Sequence, residues 1–285
     1  MMAEKITISN DILKVTINSF GAEIESVLKD GKEKLWDGNP EIWAGHAPVL
    51  FPICGGLRDD KFIFEGKEYI LGKHGYARRS EFEIEKAEEN SAVFKLSSNE
   101  ETLNKYPFEY DFRITYSLEG SKINVEYAVT NKGEKDMYFS VGAHEAYACP
   151  EGIEEYSVIF DEEENLDAAD LDGSLLKYTV TSWGKGIKEL PLKQEHFLPD
   201  ALVFLNLKSR GVILKNRKTK EEIRVSFEGF DYFLIWTKPG AKYVCLEPWC
   251  GIPDFVDSSY DITKKRGIMT VASKETLKKY HSVIF

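Results

Sequence analysis

Apolar and polar residues alternate along much of this chain, strictly enough to assign strands. Phe112, Ile114, Tyr116 and Leu118 recur at every second position, and so do Ile123, Val125, Tyr127 and Val129. A period of two puts each set on one face of a strand. Glu119-Gly120-Ser121 lies between the two and supplies a turn. The pair reads as a hairpin with one dry face. Shorter segments of the same character cover residues 13–17, 62–65, 68–71, 82–85, 93–96, 212–215, 223–227, 232–236 and 243–247. Turns such as Glu65-Gly-Lys67 and Asn131-Lys-Gly133 punctuate them. Helical signal is sparse. It covers residues 99–106, where Asn99 caps two acids and Pro107 is the stop, and residues 273–280. Many short strands and few helices predict an all-β, mainly antiparallel sandwich. The acidic stretch 161–172 reads as a solvated loop. With no internal repeat, low-complexity linker or compositional break, residues 1–285 read as one domain.

Composition narrows the classes of function. At 285 residues, 42% hydrophobic and 13% aromatic, the chain can bury a large core. A net charge of -11 without a basic run opposes nucleic-acid binding, which needs Lys and Arg against phosphates. No apolar window is long enough to span a membrane, and the first residues lack the apolar stretch of a signal peptide. Cys54, Cys149, Cys245 and Cys250 are scattered and read as reduced thiols, so a cytoplasmic location is expected.

Three segments stand out as carriers of chemistry. His74 sits in Gly72-Lys-His-Gly-Tyr-Ala-Arg78, flanked by glycines. His144 sits in Ser140-Val-Gly-Ala-His-Glu-Ala-Tyr147, where Gly142 allows close backbone approach. Glu247 ends the apolar run Val244-Cys-Leu246, and a carboxylate there must be hydrogen-bonded or put to use. Trp249 follows with a broad apolar face, and Arg58 stands on a glycine-rich loop. Singly, each histidine is more often a satisfied structural residue, Trp249 more often core and Arg58 a surface ion pair. His46, His196 and His281 have no comparable setting and read as structural. No closely spaced Cys or His pairs mark a zinc site, and no P-loop, Gly-x-Gly-x-x-Gly or Gly-x-Ser-x-Gly occurs. Histidines, an arginine and one carboxylate suggest proton transfer without a covalent or metal centre.

These segments resemble, in order and along nearly the whole chain, the aldose 1-epimerase (galactose mutarotase-like) superfamily and its LacX-like branch. The resemblance is carried by Ser19-Phe-Gly-Ala-Glu23, Leu35-Trp-Asp37, Ala47-Pro-Val-Leu-Phe-Pro-Ile-Cys-Gly-Gly56, His74-Gly-Tyr-Ala-Arg78, Tyr106-Pro-Phe108, Phe139-Ser-Val-Gly-Ala-His144 and Leu246-Glu-Pro-Trp-Cys-Gly251. It implies a β supersandwich with a few short helices, an open sugar-binding groove and an isomerase that interconverts the anomers of an aldohexose such as galactose or glucose. By the same resemblance Glu247 matches the catalytic base and His144 the acid. His74 matches a second histidine on the sugar, Arg58 an arginine near the ring and Asp200 an acid that holds hydroxyls. Trp249 would stack on the C–H face of the sugar. No cofactor or metal is implied, the partner is a small sugar, and the default state is a monomer or weak dimer.

Three points depart from this simple reading. The chemistry asks a histidine to stay partly protonated, which nearby acids would favour. The family often has proline after the acid histidine, whereas this chain has Glu145, which would either raise the His144 pKa or point into solvent. The residues around His74 are also close to those of hexose-6-phosphate epimerases. Arg58, Arg78 or Arg79 would then converge on a phosphate. A third reading, a non-catalytic sugar-binding module, is weakened because both His144 and Glu247 are present.

Overall fold

The computed structural model describes residues 3–285. Its strand ladders are all antiparallel and form two large sheets, a four-stranded one at the N-terminal end and two two-stranded ones. The 112–118 and 123–129 alternations become Tyr110–Glu119 and Lys122–Asn131, paired in register with Ile114 opposite Tyr127. They sit inside a nine-stranded sheet that ends in Glu83–Ala87 on one edge and Ile187–Pro191 on the other. A second, seven-stranded sheet is built on Tyr243–Cys250. That strand pairs with Tyr232–Trp236 on one side and with Val141–Gly142 and Glu145–Ala148 on the other. Lys5–Ser9, Leu13–Asn18, Glu23–Lys29 and Lys32–Glu33 make the N-terminal sheet.

The inner faces of the two large sheets meet in one apolar cluster that runs from Ile8 to Phe285. Phe112, Tyr127 and Val158 come from one side of it and Phe233, Val244 and Leu246 from the other. Stacked Phe227–Phe233 and edge-on Phe160–Phe204 contacts join the sheets. Tyr243–Cys250 is buried along its whole length. That explains its nearly continuous apolar sequence, since a strand covered on both faces has no solvent side on which to alternate.

Helix is as scarce as the pattern predicts. Glu100–Lys105 forms with Asn99 as its cap, the Asn99 side chain accepting from the Thr102 N–H at 2.9 Å. Residues 273–280, expected to be helical, instead contribute to the strand Thr276–Ile284. It is bonded on both sides, to Lys122–Asn131 and to Glu222–Ser226. Ladder pairing there overrides local helix propensity, as tertiary context commonly does. The acidic stretch 161–172 is not a loop either. It lies within the strands Tyr156–Glu164 and Asp167–Asp172. Its acids mostly face outward, but Glu164 is buried and accepts from the Ser209 N–H and hydroxyl, both at 2.7 Å. Among the described residues no helix is long and apolar enough to cross a membrane.

Register decides the fate of Glu145. It faces Leu246 across the ladder, so both point to the main core. Its carboxylate meets neither His144 nor solvent. Instead Oε1 pairs with His281 Nε2 at 2.8 Å, and the His281 ring stacks on Tyr127. The second Glu145 oxygen and His281 Nδ1 have no protein partner among the described residues. His281, read from sequence as structural, is half of a buried polar pair.

Breaking such a pair from one side strands a buried polar group. Glu145→Ala should lower the free energy of unfolding by about 3–5 kcal/mol, whereas Glu145→Leu with His281→Leu should restore most of it. Urea denaturation checks this. A loss below about 1 kcal/mol for the single variant would show that the pair carries no such cost.

Candidate active site

Residues at alternate positions of Tyr243–Cys250 separate into two environments. Val244, Leu246 and Cys250 join the main core, while Glu247 and Trp249 turn to the opposite side of the sheet. There they line an open cavity of about 400 Å³, together with His74, His144, Asp200 and Arg78. That volume suits a small ligand. Hollows of about 510 Å³ beside Phe285 and about 830 Å³ beside Tyr260 are lined by no histidine and hold no comparable chemistry.

The strand segments around His144 are shaped by close contacts. Trp249 lies across from Gly142, and its indole N–H donates to the Ala143 carbonyl at 3.1 Å. A Cβ on residue 142 would come within 2.7 Å of Trp249 Cδ1 and 2.9 Å of Cys54 Sγ, so only glycine fits. The Ala143 N–H donates to the Pro248 carbonyl at 3.1 Å, which ties the backbone just before His144 to the Glu247 strand. As a result His144 Nε2 stands 3.4 Å from Glu247 Oε2. The ring is packed against Trp43, nearly parallel at 5.3 Å, and against Trp236 edge-on at 5.7 Å.

His74 is held by its backbone as much as by its ring. Its φ of 68° lies in the left-handed region, uncommon for a residue with a side chain and often kept at functional positions. Its own N–H donates to the Gly55 carbonyl at 2.8 Å, and its Nδ1 accepts from the Gly55 N–H at 3.1 Å. A ring nitrogen that accepts carries no proton, so this bond assigns the hydrogen to Nε2 and leaves it as a donor. The ring meets Trp249 edge-on at 5.4 Å and His144 at 5.9 Å.

The charges around the cavity are unevenly placed. Arg78 donates to the Lys73 carbonyl at 3.0 Å, while its Nε is buried without a partner. Neither Lys73 nor Arg78 has a carboxylate within ion-pair distance among the described residues. Asp200 lies across the cavity, its carboxylate accepting from the Ala201 N–H at 2.8 Å. Burial, reinforced by Arg78 and Lys73, holds His144 down to about 3. Burial likewise depresses His74 well below the usual imidazole range, helped by the His144, Lys73 and Arg78 charges. Burial raises Glu247 well above the ordinary carboxylate range, Lys73 opposing and Glu145 and Asp200 adding to it. The expectation that surrounding acids keep His144 protonated is therefore reversed. His144 is buried, and the charged groups that act on it, Arg78 and Lys73, are positive.

The cavity thus gathers Glu247, His144, His74, Asp200, Trp249 and Arg78. It does not gather Arg58, whose guanidinium lies over the Tyr260 ring at 3.9 Å while Tyr260 donates to Asp59 at 2.5 Å. That cation–π contact draws the side chain away from the sugar-binding position the resemblance implies. Sequence reasoning missed Trp43, Trp236 and Lys73, all of which line the cavity. Lys73 was beside His74 in plain view; Trp43 and Trp236 carry no local signal that separates a wall residue from core.

Comparison with known proteins points one way. A family model described as aldose 1-epimerase matches residues 4–280. Protein LacX of Lactococcus lactis subsp. lactis is 34% identical over 293 aligned residues, which cover 98% of each chain. A galactose mutarotase related enzyme from Lactobacillus acidophilus is 33% identical with a TM-score of 0.94, covering 99% of this chain and 97% of that one. A galactose mutarotase-like protein from Lactobacillus casei is 27% identical with a TM-score of 0.92, covering 99% of both.

The close contact at Gly142 makes a prediction about the cavity wall. Gly142→Ala should push Trp249 from its place, cost about 1–3 kcal/mol and alter tryptophan fluorescence. Chemical denaturation followed by emission reads both. Unchanged stability and spectrum would mean that the wall gives way without strain.

Proposed function

The chain belongs to the aldose 1-epimerase family, and from that premise we propose that it is a mutarotase for a free aldohexose such as galactose or glucose. The observation that carries this reading is the 3.4 Å approach of His144 Nε2 to Glu247 Oε2 inside an open cavity. Mutarotation needs a proton taken from the anomeric O1 hydroxyl and a proton given to ring oxygen O5. The C1–O5 bond then breaks with its electron pair going to O5, and C1 becomes an aldehyde. Rotation about C1–C2 and closure on the other face complete the exchange, with each proton transfer reversed.

One proton shared by two groups serves both transfers. Burial holds His144 down to about 3 and raises Glu247, so of the two groups Glu247 holds that proton more tightly. Its passage across the 3.4 Å gap produces the carboxylate and imidazolium, with Glu247 as the base for O1–H and His144 as the acid for O5. Sugar hydroxyls reaching the carboxylate stabilise this form. His74 supplies a fixed Nε2–H donor, Asp200 accepts from hydroxyls, and Trp249 and Trp43 offer apolar faces to the C–H side of the ring. A non-catalytic sugar-binding module would need none of this matched pairing.

One observation supports a second reading, a hexose 6-phosphate as substrate. Lys73 and Arg78 stand at the cavity without carboxylate partners. Of the arginines expected for a phosphate, Arg58, Arg78 or Arg79, Arg78 lines the cavity, while Arg58 lies on Tyr260 and Arg79 is absent from the lining. The free-sugar reading is preferred on that ground.

Polarimetry on freshly dissolved α-D-glucose and α-D-galactose, with glucose 6-phosphate alongside, tests both. Acceleration of a free sugar supports the first reading, acceleration of the phosphate alone supports the second, and none for any of the three opposes both. Glu247→Gln and His144→Ala should each lower kcat by about 10²- to 10⁴-fold while leaving the fold intact. Near-normal rates in both variants would remove the acid–base pair from the mechanism.

A further inference from the structure

Strand alternation places Cys245 on the same face as Glu247, two residues along. Cys245 lies opposite Ala146, fully buried, and has no part in the proton transfers just described. Its Sγ, a carboxylate oxygen of Glu247 and a ring nitrogen of His144 nevertheless all lie within 4.8 Å of one another.

The spacing of these three atoms brings them near the range in which they could share one ion. The His144–Glu247 separation of 3.4 Å is long for a charge-assisted hydrogen bond. It does match the edge of a tetrahedron whose centre lies about 2.0–2.1 Å from both atoms, the usual zinc–nitrogen and zinc–oxygen distances. A thiolate at about 2.3 Å from the same centre needs edges of about 3.6 Å, so from a separation of up to 4.8 Å the sulfur has to close by up to about 1.2 Å. The site therefore requires the buried Cys245 side chain to turn toward His144 and Glu247.

The donor set then selects the ion. One sulfur, one imidazole nitrogen and one carboxylate oxygen suit a borderline divalent cation, whereas magnesium and calcium require oxygen shells. Three protein ligands leave a fourth position open, and His144 and Glu247 both line the cavity through which an ion and its water would enter.

We propose that His144, Cys245 and Glu247 form a zinc site that inhibits the enzyme. This rests on the reading of His144 and Glu247 as the acid–base pair. Coordination occupies the His144 nitrogen and Glu247 oxygen lone pairs, so neither can move a proton while the ion is bound. The Cys245 thiol proton, and any proton held by Glu247, go to solvent as the ion binds.

The test separates the site from the activity. Chelator-treated protein is titrated with zinc by calorimetry and, separately, with cobalt(II) while its absorption is recorded. The expected result is one zinc per chain and, with cobalt, tetrahedral bands accompanied by thiolate-to-metal charge transfer. Mutarotation should be lost as the site fills and restored by EDTA. Cys245→Ser, and independently Cys245→Ala, should keep the metal-free rate within about 2-fold, lose the charge-transfer band and bind zinc at least about 10-fold more weakly. No stoichiometric binding, or unchanged binding in both cysteine variants, overturns the site. Cysteine-dependent binding in a protein that accelerates no sugar keeps the site and removes the mutarotase reading. Sugar acceleration that zinc leaves untouched overturns the inhibition.

Discussion

Glu247 is a carboxylate only 1% exposed, midway along a strand whose eight residues are all buried. Taking such a group out of water costs several kcal/mol unless it is neutralised or paired. The surrounding structure can be understood as the set of conditions under which that placement is tolerated. Pairing on both sides of Tyr243–Cys250 satisfies its backbone, the opposite face contributes Val244 and Leu246 to the main core, and a histidine waits within reach of the carboxylate. The carboxylate cannot relax toward bulk water without taking the centre of the sheet with it. That rigidity keeps a high-energy group in place for chemistry.

The same two-strand ladder carries a second carboxylate–histidine pair on its other face. Glu145 with His281 and Glu247 with His144 are separated by the thickness of one sheet, because residues opposite and alternate in a ladder point in set directions. The two pairs differ in closure. Glu145 and His281 make a 2.8 Å hydrogen bond inside the core, with Tyr127 stacked on the ring. Glu247 and His144 stay 3.4 Å apart at the cavity. A closed pair holds sheets together and exchanges with nothing. An open pair leaves room for a hydroxyl, or for an ion, to complete it.

Aromatic walls and one unusual backbone conformation complete the site. Trp43 and Trp236 fix the His144 ring from two directions, and Trp249 borders His74. Both histidine rings are buried, and that burial pushes both toward neutrality. The left-handed His74 is held by two hydrogen bonds to Gly55, so its ring is oriented before any ligand arrives. Rigid placement of this kind suits a reaction that needs two protons to move on one small ring.

The amino-acid order alone determined the period-two strands, the hairpin of Tyr110–Glu119 with Lys122–Asn131 and the Asn99 cap, since each rests on contacts between near neighbours. It also marked His74, His144 and Glu247, because glycine flanks and a carboxylate within an apolar run are locally anomalous. What depended on distant partners was not legible. Residues 273–280 look helical until two strands bond to them, and 161–172 look solvated until Ser209 buries Glu164. Arg58 turns to Tyr260 and Glu145 turns to His281, partners 202 and 136 positions further along the chain that nothing local connects. Only the tertiary structure brought Trp43, Trp236 and Lys73 to the cavity and buried His144 enough to reverse its expected charge. Side-chain direction in a sheet follows register, and register is a property of the pairing rather than of either strand.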